Sequence, residues 1–136
     1  MNLIRLVYIS SATPPMSEEA LAALVEQAKT FNAEHDLTGM LIYAEGNFLQ
    51  VLEGDAREVD ELYERICRDP RHAHLLCLER TPITRREFAD WNMGFRNLSG
   101  VECEDLPDWL TGITGSAPPP AREGMALLQH YGKGEG

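Results

Sequence analysis

Apolar and polar positions alternate over LIRLVYIS (3–10), which predicts an opening strand with Ile4, Leu6 and Tyr8 on one face and Leu3, Arg5, Val7 and Ile9 on the other. SSATPPM is a turn by composition. Ser17 then suits the N-cap of a helix whose first turn carries Glu18 and Glu19. That helix runs to about Glu34, with Leu21, Leu24, Val25, Ala28 and Phe31 along its apolar face. TGMLIYAEGNFLQVLEG follows as two apolar strands joined at Glu45-Gly46-Asn47. Asp55 and Glu58 form a capping pattern for a second helix, in which Val59, Leu62, Tyr63, Ile66 and Cys67 recur at helical spacing and which Pro70 ends. LLCLERTPI supplies a fourth strand and WNMGF a short fifth.

The order β-α-β-β-α-β-β predicts an α+β, ferredoxin-like sandwich: a five-stranded mixed sheet with two helices on one face. Past Asn97 the pattern changes. VECEDLPDWLTG and REGMALLQHYG are amphipathic helix candidates separated by GSAPPP, suited to cover the opposite sheet face, because strands apolar on both sides need a cover there. This divides the chain into a domain over residues 1–97 and a helical extension over 98–136 that covers the sheet or makes oligomer or partner contacts.

Composition narrows the function classes. At 136 residues the chain can bury a core without disulfides or a structural metal. Cys67, Cys77 and Cys103 lack C-x-x-C spacing and read as reduced, mostly buried thiols of a cytoplasmic protein. A net charge of −10 argues against nucleic acid or an anionic membrane as the main partner. The apolar run at the N-terminus is too short for a signal peptide or a membrane span. His72-x-His74 has no carboxylate or Cys partner at a metal-binding spacing.

Three polar residues stand where periodicity asks for apolar ones. Tyr8 shares a face with Ile4 and Leu6, Gln50 lies between Phe48 and Leu52, and Asn32 follows Val25 and Ala28 at helical spacing. Singly, each has an ordinary structural explanation: a backbone carbonyl for Tyr8, loop support for Gln50, a helix end for Asn32. If the first and third strands are neighbours, Tyr8 and Gln50 approach across the sheet. A planar hydrogen-bonding ligand between the helices would then satisfy all three together.

With LVYIS, FNAEHDLTGMLIYAEGNFLQVLEG, YERICRDPRH and FADWNMGF in this order, the chain resembles the BLUF family of blue-light sensors that use a flavin, over about residues 2–97. The resemblance implies a non-covalently held FAD between the two helices; FMN or riboflavin would make the same ring contacts. Carried over by position, Asn32 bonds the pyrimidine end of the ring, and Gln50 bridges Tyr8 and the N5/O4 edge. Leu24, Ala28 and Phe48 belong to the apolar sandwich. Arg65, Asp69 and His72 match positions flanking the ring or ribityl chain, although a solvated helix end would also use Arg65 and Asp69. Tyr8 would be the photochemical donor and Gln50 the relay, an amide being able both to accept and to donate. Trp91 and Met93, expected on one face of the fifth strand with Phe95, match the family's output element; plain packing is the alternative. Phe31 departs from the pattern, since many members carry Asn or His there.

The expected function is a photoreceptor module without enzymatic activity, because the 39 residues after Asn97 cannot hold a cyclase or phosphodiesterase domain. Its signal would leave through a homo-oligomer or a separate downstream protein. The alternatives are an acylphosphatase-like enzyme, for which SSATPP lacks the glycine and arginine of a phosphate-cradling loop, and a light-independent ligand-binding or oligomerisation domain.

Overall fold

The computed structural model describes residues 2–12, 16–44, 46–98 and 121–133. Strand β1 (Leu3–Ala12) is followed by helix α1 (Glu18–Glu34), the hairpin β2 (Thr38–Ala44) and β3 (Asn47–Asp55), helix α2 (Ala56–Arg68), and strands β4 (His72–Pro82) and β5 (Gly94–Asn97). A last helix, α3, spans Ala121–Lys133. The five strands form one sheet in the order β4-β1-β3-β2-β5. All neighbours run antiparallel except β2 and β5, which are parallel. This is the α+β, ferredoxin-like mixed sheet that the element order predicts.

Alternation along the strands separates two cores. On one face Ile4, Leu6, Leu41, Phe48 and Leu52 pack beneath Leu21 and Val25 of α1 and Val59 of α2. On the other, Val7, Met40, Ile42, Leu49 and Val51 pack against Met125 and Leu128 of α3. β2 is buried along its whole length, as a strand covered on both sides must be. The helix candidate in 101–112, the turn residues 13–15, Glu45 and Cys103 lie outside the described residues.

Local signals act largely as expected. Ser17 caps α1, its side chain accepting from the Ala20 amide at 3.1 Å. Gly46 in the hairpin turn has φ 83°, a value that favours glycine. Four expectations change. Asp55 precedes α2 without capping it through its side chain; its carboxylate instead accepts from the Asn2 amide at 3.1 Å, and Glu58 pairs with His35 at 2.8 Å. β4 begins at His72 rather than Leu75, since its first residues pair with the end of β1. β5 is Gly94–Asn97 rather than 91–95, because its pairing with β2 starts at Met40 opposite Gly94. Cys67 and Cys77 are exposed free thiols rather than buried ones: α2 turns Cys67 outward, and Cys77 sits on the edge strand.

Candidate functional site

The register places Tyr8 directly opposite Gln50 across the β1–β3 ladder. Both side chains point toward α1 and α2, into a cavity of about 200 Å³. Tyr8 is fully buried, and its hydroxyl donates to Gln50 Oε1. Gln50 Nε2 in turn donates to Met93 Sδ at 3.4 Å. Three residues far apart in sequence thus form one relay along the cavity wall. Burial pushes the Tyr8 phenol well above its ordinary pKa, with Tyr63, Cys67 and Asp69 adding to the shift, so it stays protonated through the neutral range. Its ring packs against Tyr63, centroids 5.4 Å apart, whose own phenol burial pushes up to about 12.

Asn32, near the C-terminal end of α1, is 1% exposed. Its Nδ2 donates to the Asn92 carbonyl at 2.7 Å, which identifies the other amide atom as the oxygen. That oxygen, Oδ1, has no hydrogen-bond partner among the described residues. An orphaned buried acceptor on a cavity wall costs free energy of about 1–3 kcal/mol and fits a ligand that presents an N–H donor. Leu24 and Ala28 of α1 and Phe48 of β3 provide apolar lining.

Charged groups gather at one end of the cavity. Asp69 and Arg71 form an ion pair at 2.6 Å, and the Arg71 hydrogen bond holds the Asp69 carboxyl below its usual range. His72 Nδ1 lies 3.0 Å from Ser10 Oγ, its ring tilted against Phe48 at 5.0 Å. Burial lowers the His72 pKa against the opposing pull of Asp69. The Arg65 guanidinium lies over the Phe31 ring at 4.8 Å, while His35 stacks on Phe31 at 4.1 Å. Phe31 is therefore an aromatic wall of the cavity, held between Arg65 and His35.

The structure brings Tyr8, Leu24, Ala28, Asn32, Phe48, Gln50, Arg65, Asp69 and His72 to this one cavity. It separates Trp91 from Met93. Met93 is 2% exposed and faces Gln50, whereas Trp91 packs beside Phe88 in the core on the opposite side of the sheet. Both precede β5, so the two-residue alternation that would place them on one face does not apply. Gln27, Leu41, Leu62, Ile66 and Arg71 also line the cavity. Sequence reasoning assigned Leu62 and Ile66 to core, because a cavity wall and a core stripe have the same periodicity. Arg71 had a signal in its closeness to Asp69.

Fold and site together define an α+β domain with a cavity between two helices and a sheet, walled by apolar side chains and by the hydrogen-bonding groups of Tyr8, Asn32 and Gln50. Residues 3–94 match the model of the BLUF family, "Sensors of blue-light using FAD". A photoactivated adenylate cyclase subunit beta of Euglena longa is 40% identical over 93 residues, 68% of this chain and 11% of that protein. The chain thus spans about a tenth of the length of such curated relatives. Among solved structures, BlrB, a BLUF protein in its dark state, superposes with a TM-score of 0.72 at 28% identity, covering 95% of this chain and 93% of that one. Klebsiella pneumoniae BlrP1 with FMN and cyclic diGMP gives 0.66 at 33% identity, covering 71% and 26%. The chain belongs to the BLUF family of blue-light flavin sensors. No helix among its described residues is long and apolar enough to cross a membrane.

Proposed function

We propose that the cavity seats the ring system of FAD non-covalently, and that Tyr8, Gln50 and Met93 convert absorbed blue light into a change of hydrogen bonding. The relay from Tyr8 through Gln50 to Met93 carries this reading. The apolar walls of this cavity of about 200 Å³ would hold the ring, and Arg65, Asp69 and His72, which also line it, would offer polar contacts to the rest of the cofactor. FMN or riboflavin would present the same ring. Asn32 Oδ1 would accept from a ring N–H, and Leu24, Ala28 and Phe48 would pack against the ring.

A bound flavin supplies a strong oxidant when it absorbs blue light. With a flavin bound, Tyr8 would be its electron donor, and Gln50, whose Oε1 already accepts from the phenol, would take up the phenolic proton and hand one from Nε2 to the ring. The amide, unable to keep the same donor and acceptor pattern, releases or exchanges its contact with Met93 Sδ. Met93 adjoins β5, so the change reaches that strand and the extension over 98–136, beyond a sensing domain of residues 1–97. We assign this chain no enzymatic activity of its own; its signal passes, in the cytoplasm, to a second copy or to a separate protein.

Purified protein supplied with FAD should be yellow, with an absorbance that shifts slightly to the red under blue light and recovers in darkness. Gln50→Leu should keep the colour and lose the shift. A chain that takes up no flavin, or a Gln50→Leu variant with a normal shift, would refute the proposal.

A further inference from the structure

Glu53 lies three residues beyond Gln50 on β3, points to the opposite face, and is 0% exposed. A buried carboxylate is tolerated only when both of its oxygens are held by donors, and here both are. Oε2 accepts from the Glu87 amide at 2.7 Å; Oε1 accepts from the Phe88 amide at 3.0 Å and from Thr38 Oγ1 at 3.0 Å. Arg86 completes the cluster, its Nη1 donating to Thr38 Oγ1 at 3.1 Å and its Nη2 to the Asp36 carbonyl at 2.8 Å. An apolar side chain would fill the same volume without such requirements, so simple packing does not explain the carboxylate.

What Glu53 holds is the connection between β4 and β5. It ties down positions 87 and 88, at one end of a short segment whose other end is Met93. Between them, the Trp91 carbonyl accepts from the Gly39 amide at 3.2 Å and the Asn92 carbonyl from Asn32 Nδ2 at 2.7 Å. Gln50 and Glu53 therefore grip opposite ends of one segment from a single strand. One grip is a weak amide–sulfur contact at 3.4 Å; the other is a set of charge-assisted bonds.

We infer that Glu53 is a positioning residue for signal output: its carboxylate is the fixed pivot that makes a displacement at Met93 move β5 instead of dissipating along the connection. This rests on the photosensor reading above and adds a residue that acts after the photochemistry. Held only at the Trp91 and Asn92 carbonyls, the segment would pass a shift at Met93 back into the rest of the β4–β5 connection through its backbone dihedrals, whereas one also pinned at positions 87 and 88 transmits it forward to β5.

The test is hydrogen–deuterium exchange of the flavin-loaded full chain, in darkness and under continuous blue light, for wild type and Glu53→Gln. The amide side chain keeps the shape but replaces one acceptor oxygen with a donor facing a backbone N–H. Glu53→Gln should retain flavin and the red shift, while the light–dark difference in exchange over 94–97 falls at least about fivefold, the lower range of coupling between sites. A purely structural role predicts a lower Tm with an undiminished light–dark difference, and that result overturns the inference. If Glu53→Gln does not fold by circular dichroism, Thr38→Val, which removes one donor from the same carboxylate, carries the test with the same expected direction and the same overturning result. A wild type without a red shift would remove the photosensor reading and this inference with it. A normal wild-type response with an unchanged variant removes this inference alone.

Discussion

Gln50 carries two hydrogen bonds of different character, one from a buried phenol and one to a thioether, and this asymmetry suits an amide that must change partners. His72, at the far end of the same cavity, gives a test in solution. Burial holds its folded pKa below the ordinary 6.5, with Arg71 reinforcing the shift and Asp69 opposing it. As pH falls the unfolded chain therefore takes up this proton first. The stability associated with neutral His72 is complete above about pH 6.5 and is lost as pH falls toward the folded value. Thermal unfolding midpoints measured from about pH 7.5 down to about pH 5 should decline, and His72→Gln should flatten that slope. Equal slopes would place the titration elsewhere. Asp69 acts in a separate window, because its carboxyl is held below the usual carboxylate range by the Arg71 hydrogen bond, and the stability this contributes is lost only as pH falls through that range.

The β2–β3 hairpin has little room for adjustment. A Cβ built on Gly39 would stand 2.1 Å from the Val51 carbonyl oxygen, so backbone, not a flexible side chain, would have to yield. Gly39→Ala should cost about 1–3 kcal/mol or more in urea denaturation. A neutral effect would mean that the strands separate more easily than their pairing implies. Much of this level was legible in the sequence. Tyr8 and Gln50 stand opposite one another as strand alternation and the split βαβ order require, and Ser17 caps α1 as its type suggests. The fifth strand was less legible. A short edge strand has few residues over which to express a period, so the boundary shifted to Gly94–Asn97 and Trp91 and Met93 fell on opposite sides of the sheet.

Across the whole molecule, α3 closes the second core. Leu128 is fully buried among residues of the central strands, and α3 contacts β1, β2, β3 and β4. Leu128→Ala should therefore lower global stability by about 2–5 kcal/mol in one cooperative transition. Two separate transitions in denaturation followed by circular dichroism and tryptophan fluorescence would instead make α3 an independent unit. The sequence by itself determined the element order, the apolar faces, and the three polar residues Tyr8, Asn32 and Gln50 that point to a ligand between helices. Those follow from periodicity and capping, which act over a few neighbouring residues. Only the tertiary structure decided that Met93 rather than Trp91 meets Gln50, that Arg71 joins the cavity, and that Glu53 holds positions 87 and 88. Each of these depends on contacts between residues distant along the chain, where local pattern carries no information about which side chain arrives.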